Sequence, residues 1–196
     1  MKVHDSINDD FKAWIAKQHV FFVGTAPLSG NGHVNLSPKG YDALRIIDDH
    51  TICYMDMAGS GNETSAHIAE EGNGRITFMF CGFEGGPRIL RLYGRGEVLL
   101  PDHPRWKQYL SQHYQDKVLP GSRQIIVNHV DRIQTSCGYG VPFMTFQEDR
   151  STLCNFFAKK GVEGSIEYMR AQERKSIDDL ATPQGEQFRQ AEEAGK

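Results

Sequence analysis

Cysteine is scarce and scattered in this sequence: Cys53, Cys81, Cys137 and Cys154 stand alone, with no C-x-x-C pair. A structural zinc site needs four converging ligands, usually in closely spaced pairs, so no zinc framework is expected. The eight histidines show no H-x-H or H-E-x-x-H spacing either. Cys53 and Cys81 fall inside apolar runs, and the thiols read as small buried hydrophobes. Long apolar runs are missing as well. The longest span four residues, as in Val20–Val23, against the ~20 mostly apolar residues a membrane-spanning helix needs. Met1–Ser6 carries no apolar stretch behind its charge, so it does not read as a secretory leader. Nor is there a basic excess. The 22 Lys+Arg against 25 Asp+Glu give a net charge of −3, with no electrostatic drive toward nucleic acid. What remains is a chain of 196 residues, 39% hydrophobic, long enough for one sizeable core. It reads as a cytoplasmic single-domain protein.

Turn chemistry divides the chain into short elements. Ile7, Phe11, Trp14 and Ile15 make one apolar stripe behind the capping candidates Asp5 and Ser6, which predicts a helix. Strands are expected over Val20–Thr25, His33–Ser37, Ala43–Ile47, Thr51–Asp56, Arg75–Cys81, Arg88–Leu100 and Gln124–Ile133. Ser29-Gly30-Asn31-Gly32 and Asp48-Asp49-His50 serve as turns. Helices are expected from about Asn62 to Glu70 and from Pro104 to Tyr114. About seven strands in mostly hairpin order predict a mainly antiparallel β-barrel or sandwich with flanking helices. From Gly164 the composition changes: Ser165–Leu180 reads as a charged helix, and the residues after Thr182-Pro183 as a frayed polar tail. The expected division is a barrel domain over 1–145 and a helical extension with polar tail over 146–196.

Three clusters carry polar side chains in patterns that suit a ligand. In the first, His33-Val34-Asn35-Leu36-Ser37-Pro38-Lys39-Gly40, strand alternation puts Asn35 and Ser37 on one face, with Lys39 where the strand ends. The second runs from a strand through Gly59-Ser60-Gly61 into a helix start at Asn62-Glu63-Thr64-Ser65. The first turn of a helix has unpaired N–H groups and a positive dipole end, a setting that suits phosphate. A helix cap on a flexible loop that binds nothing is the alternative. The loop lacks the Gly-Lys-Ser/Thr of an ATPase, and the antiparallel surroundings do not support a dinucleotide fold. In the third cluster, Arg91, Tyr93 and Arg95 share a strand face. Two arginines there are costly to bury alone, so they face water, an acidic partner or a bound phosphate. With Lys39 and Arg88 they suggest a local basic face that the net charge averages away.

Taken in order, Asn35–Gly40, Gly59–Thr64, Arg88–Gly96 and Cys137-Gly138-Tyr139-Gly140-Val141-Pro142 resemble the FMN-binding split-barrel flavoproteins related to pyridoxamine 5′-phosphate oxidase. The similarity covers most of residues 8–145. It implies a Greek-key antiparallel barrel, FMN as cofactor, and a homodimer with the flavin at its interface. Carried over, Asn35, Ser37 and Lys39 would line the flavin edge. Ser60, Gly61, Asn62, Glu63 and Thr64 would form the phosphate corner, with Arg91 completing the charge balance. The oxidase itself has Ser-Arg-Lys where this chain has Asn62-Glu63-Thr64, so Glu63 must turn away or pair with an arginine. The oxidase also has glutamine in place of Ile89 and a C-terminal arginine motif that is absent here. The expectation is therefore an FMN-dependent oxidoreductase acting on a small or planar substrate, with no side chain singled out as catalytic. A flavin- or haem-sequestering protein on the same barrel is the alternative, and a ligand-free interaction module the third possibility.

Overall fold

The computed structural model describes residues 1–172 and 174–195. Eight strands form one antiparallel sheet: β1 (Lys2–His4), β2 (Phe21–Thr25), β3 (Asn35–Lys39), β4 (Leu44–Asp48), β5 (Thr51–Met57), β6 (Arg75–Cys81), β7 (Ile89–Leu99) and β8 (Ser122–Ser136). Their order is β3-β2-β6-β7-β8-β5-β4, with β1 added against β8. β3 and β4 lie at opposite ends of this order, yet only a 3₁₀ turn at Tyr41–Ala43 separates them in sequence. So short a link forces the sheet to curl until its two edges meet, which is how an open sheet becomes a barrel. The corner so formed joins the end of β3 to the end of β5.

Alternation explains the core. Ile52 and Tyr54 of β5 and Ile126 of β8 point into the barrel with Phe21, Phe78, Phe80, Leu90 and Leu92. Their neighbours Cys53, Met55, Ile125 and Val127 point the other way, under Trp106 and Tyr109 of α3 (Trp106–His113). Both faces are therefore buried where β5 and β8 pair at their centres, and the segments Ile52–Met55 and Ile125–Val127 are apolar without a break. α1 (Asp9–Ile15) plugs one end of the barrel with Phe11 and Ile15, while Ile7 packs just ahead of it. Its cap is Asn8, whose side chain accepts from the Phe11 N–H at 2.9 Å, rather than Asp5 or Ser6. Two of the four thiols, Cys53 and Cys81, are buried; Cys137 is exposed and Cys154 half-buried, outside the core strands.

The C-terminal segment differs from the sequence expectation. α4 runs over Thr152–Gln172, with a left-handed Gly161 inside it, and ends well before Leu180. Ser176–Leu180 is a turn, closed by the Ser176 N–H on the Leu180 carbonyl at 2.8 Å. In place of a frayed tail there is α5 (Pro183–Ala194), started by the Thr182 hydroxyl accepting from the Gly185 N–H at 2.9 Å. Pro183 opens this helix because the first turn has no need of its missing N–H. Residues 173 and 196, which fall in the expected helix and tail, lie outside the described residues. Ala58, Phe157 and Met169 form a small core of their own with Leu153, Tyr168 and Phe188. Through it the C-terminal helices sit on the loop that follows β5. Among the described residues no helix is long and apolar enough to cross a membrane.

Candidate functional site

The inward face of β3 sets the first part of the corner. Asn35 donates from its amide to the hydroxyls of Thr25 (3.1 Å) and Thr64 (3.0 Å), and Ser37 donates to Asn35 Oδ1 at 2.8 Å. The Thr25 hydroxyl also meets Nδ1 of His67 at 2.9 Å. Burial pushes the His67 imidazole below its usual value, so this end of the site is uncharged near neutrality.

The second part is a charge cluster on one carboxylate. Lys39 Nζ lies 2.7 Å from Asp56 Oδ1. Arg123 brings Nε and Nη2 each to 2.8 Å from Asp56 Oδ2, and Gln124 donates to the same oxygen at 2.8 Å. Asp56 is 1% exposed and Arg123 3%. Burial alone would raise the Asp56 pKa. The charges of Arg123 and Lys39 and the hydrogen bonds from Lys39 and Gln124 outweigh it and hold the carboxyl at about 2. Arg123 Nη1 also donates to the Gly61 carbonyl at 2.9 Å, and Gln124 reaches Asn62 Oδ1 at 2.8 Å. The glycine loop is thereby tied to β8.

Between these parts opens a cavity of about 310 Å³, bordered by Ser37, Lys39, Ser60, Gly61, Glu63 and Arg123, with Leu153 of α4 also on its wall. The loop leads into α2 (Glu63–Ala69), behind its N-cap Asn62. Glu63 does not turn away: its carboxylate folds over Gly61, with Oε2 and Oε1 2.6 and 2.8 Å from where a Gly61 Cβ would stand. A side chain at this position would displace the Glu63 carboxylate. Among the described residues two cations, Lys39 and Arg123, thus face two carboxylates, Asp56 and Glu63, around one cavity. Behind Glu63, the buried Asn62 Nδ2 and Ser65 Oγ have no hydrogen-bond partner among the described residues.

Of the nine residues singled out in the sequence, Ser37, Lys39, Ser60, Gly61 and Glu63 border the cavity. Asn35, Asn62 and Thr64 stand behind it as hydrogen-bonded scaffold. Arg91 is not brought to it. Strand parity puts Arg91 on the outer face of β7, where it donates to Ser136 Oγ at 2.9 Å. The expected basic face is dispersed for the same reason, since Lys39 points inward while Arg88 pairs with Asp10 at 2.8 Å. Sequence reading missed Asp56, Arg123 and Gln124. Its one signal was a carboxylate inside the apolar run of β5, because Asp is almost never fully buried unless paired.

Residues 7–137 match the pyridoxamine 5′-phosphate oxidase family. The pyridoxamine 5′-phosphate oxidase family protein ustO of Aspergillus flavus is 38% identical over 151 residues, which is 76% of this chain and 59% of that protein. The chain thus spans about three fifths of this relative's length. Among solved structures, HupZ of Group A Streptococcus is similar with a TM-score of 0.51 and 22% identity, covering 67% of this chain and 94% of that one. A Lactobacillus delbrueckii protein described as a pyridoxamine 5′-phosphate oxidase reaches 0.50 at 13% identity, covering 68% and 99%. At such identities these likenesses speak for the fold alone. The curled antiparallel sheet and the family match over most of its length agree: this chain belongs to the pyridoxamine 5′-phosphate oxidase family and has its split-barrel fold.

Proposed function

We propose that the chain binds FMN at the β3–β5 corner and works as an FMN-dependent oxidoreductase, as a homodimer, on a small or planar substrate. The observation that carries this reading is the placement of Lys39 and Arg123. Both are fixed by one buried carboxylate at a cavity whose other wall is the Gly59-Ser60-Gly61 loop. Ammonium, guanidinium and hydroxyl donors are the set that holds a phosphate, so the residues present fit the polar end of the cofactor. The volume is at the low end for small-molecule sites, ~300–1,000 Å³. It takes a phosphate and sugar-like chain and leaves a ring system to spread outside, where a second copy would cover it. In this reading Lys39, Ser37, Ser60 and Arg123 hold the phosphate end, Gln124 and Asn62 keep the loop in place, and Arg91 has no part within the same protomer. Bound flavin supplies hydride transfer; the protein supplies orientation and electrostatics. Oxidation of pyridoxamine phosphate is not part of the proposal.

Titration of the purified chain with FMN tests this. Saturable uptake with quenched flavin fluorescence is expected, and its absence in a protein that also purifies without visible flavin absorbance overturns the reading. Turnover of NAD(P)H by the loaded protein separates an enzyme from a protein that only stores flavin.

Glu63 gives a sharper test. Its carboxylate sits where it repels an incoming phosphate, and neutralising it by Glu63→Gln removes one like charge from a half-buried site. We expect FMN to bind about tenfold more tightly, from roughly 1–2 kcal/mol of relieved repulsion. Riboflavin, which lacks the phosphate, should bind wild type and variant alike. An equal gain for both ligands would mean that Glu63 acts on shape and not on charge.

A further inference from the structure

The outer face of the sheet carries a second groove, of about 510 Å³, that the FMN reading does not use. Its form follows from register. Leu36, Gly24, Thr77 and Tyr93 stand in one row across β3, β2, β6 and β7. Strands lie ~4.8 Å apart, so roughly 14 Å separates the Leu36 wall from the Tyr93 wall. Between them the floor has only the small Gly24 and Thr77. The next row along the strands places Arg75 directly opposite Arg95.

Two like charges in a cross-strand pair repel, although solvent limits the cost to a few tenths of a kcal/mol. More telling is what holds them. Arg75 donates to Asn73 Oδ1 (3.1 Å) and the Pro27 carbonyl (2.9 Å), and Arg95 to the Asn73 carbonyl (2.7 Å). Asn73 is itself 6% exposed and anchored to the Ala26 carbonyl at 2.8 Å. Among the described residues neither guanidinium has a carboxylate within ion-pair distance. Neutral carbonyls thus fix both side chains at the groove's end and leave most of their donors and both charges unanswered. Among the described residues Asp131 is the one carboxylate on the groove wall, and with Arg75 and Arg95 it leaves one net positive charge there.

We propose that this groove is a second binding site, for a small molecule with a flat apolar body and an anionic group. The body lies on Gly24 and Thr77 between Leu36 and Tyr93, and the anion meets Arg75 and Arg95. This goes beyond the proposed flavin site, since the two cavities share no charged residue.

Calorimetric titration of the full chain with 1-naphthyl phosphate tests it, with inorganic phosphate as the bodiless control. Saturable binding is expected for the first and much weaker binding for the second. Gly24→Val fills the floor, and a Cβ there meets nothing closer than 3.9 Å, so the fold should survive while binding is lost. Arg95→Gln should weaken binding about tenfold, the usual worth of one charge-assisted hydrogen bond. Lys39→Gln, at the other cavity, should leave it unchanged. Absence of binding in wild type overturns the proposal. So does binding that Lys39→Gln abolishes and Gly24→Val spares. A change in sedimenting mass on Gly24→Val would also overturn it, by making this face a contact between copies of the chain.

Discussion

Replacing Asp56 with alanine is expected to lower the unfolding free energy by about 3–5 kcal/mol, the usual cost of removing one partner from a buried ion pair. Lys39 and Arg123 would be left facing each other across the vacated site, with Arg123 buried at 3% exposure. For a chain of this size that is a fall in Tm of roughly 10 °C, at ~2–4 °C per kcal/mol. Asp56→Asn keeps the shape and should still destabilise, because shape is not what the two cations need. The pH dependence follows from the depressed carboxyl. Its ordinary value is 3.8 and its value in the fold about 2. The stability it contributes is therefore complete above pH 3.8 and is lost as pH falls from there toward 2. Urea melts at neutral pH and near the bottom of that window should show wild type and Asp56→Ala converging. A loss under about 1 kcal/mol at neutral pH would show that the cluster relaxes into water and is no clamp.

The same cluster marks how far the sequence was legible. Period-two alternation identified Asn35 and Ser37 as one face, with Lys39 at the strand's end, since side-chain parity on a strand is local information. The glycine loop and the start of α2 were local too. Asp56 and Arg123 were not: they are 67 residues apart in sequence and meet only because β5 pairs with β8. Arg91 shows the limit from the other side. Its own strand gave its face correctly, but nothing local says on which side of the sheet the corner lies. For α5 the failure was physical as well. The helix is polar nearly throughout, with Phe188 as its apolar anchor on the small C-terminal core. Part of its hold is the close approach of Gly185 to Arg174, whose carbonyl is 2.3 Å from where a Cβ would be. A composition that reads as a solvated tail becomes a helix once a cap and a contact hold its first turn.

Gly121→Ala should reach the candidate site without touching any of its polar groups. Gly121 has φ +76°, and a Cβ there would lie 2.3 Å from Cγ and Cδ2 of Phe157. The left-handed backbone costs about 1–2 kcal/mol for a residue with a side chain, and forcing an atom into a filled core about 1–3 more. Phe157 is 2% exposed and packs beside Tyr168, whose hydroxyl donates to the Gly59 carbonyl at 3.1 Å. The Gly121 carbonyl in turn accepts from the Ala58 N–H at 2.8 Å. Pushing Phe157 out should therefore undock α4, draw Leu153 off the cavity wall and loosen the glycine loop. The expected result is a loss of about 2–5 kcal/mol, with hydrogen exchange rising first in 152–172 while the strands stay protected. FMN binding should weaken although Lys39, Arg123 and Ser60 are intact. In Gly121→Ala with Phe157→Ala the clash is gone but the left-handed strain remains. The double variant should thus be less unstable than the sum of the two single losses. Additive losses, or unchanged exchange in α4 of the single variant, would mean that the C-terminal helices rest on the barrel without bracing the corner.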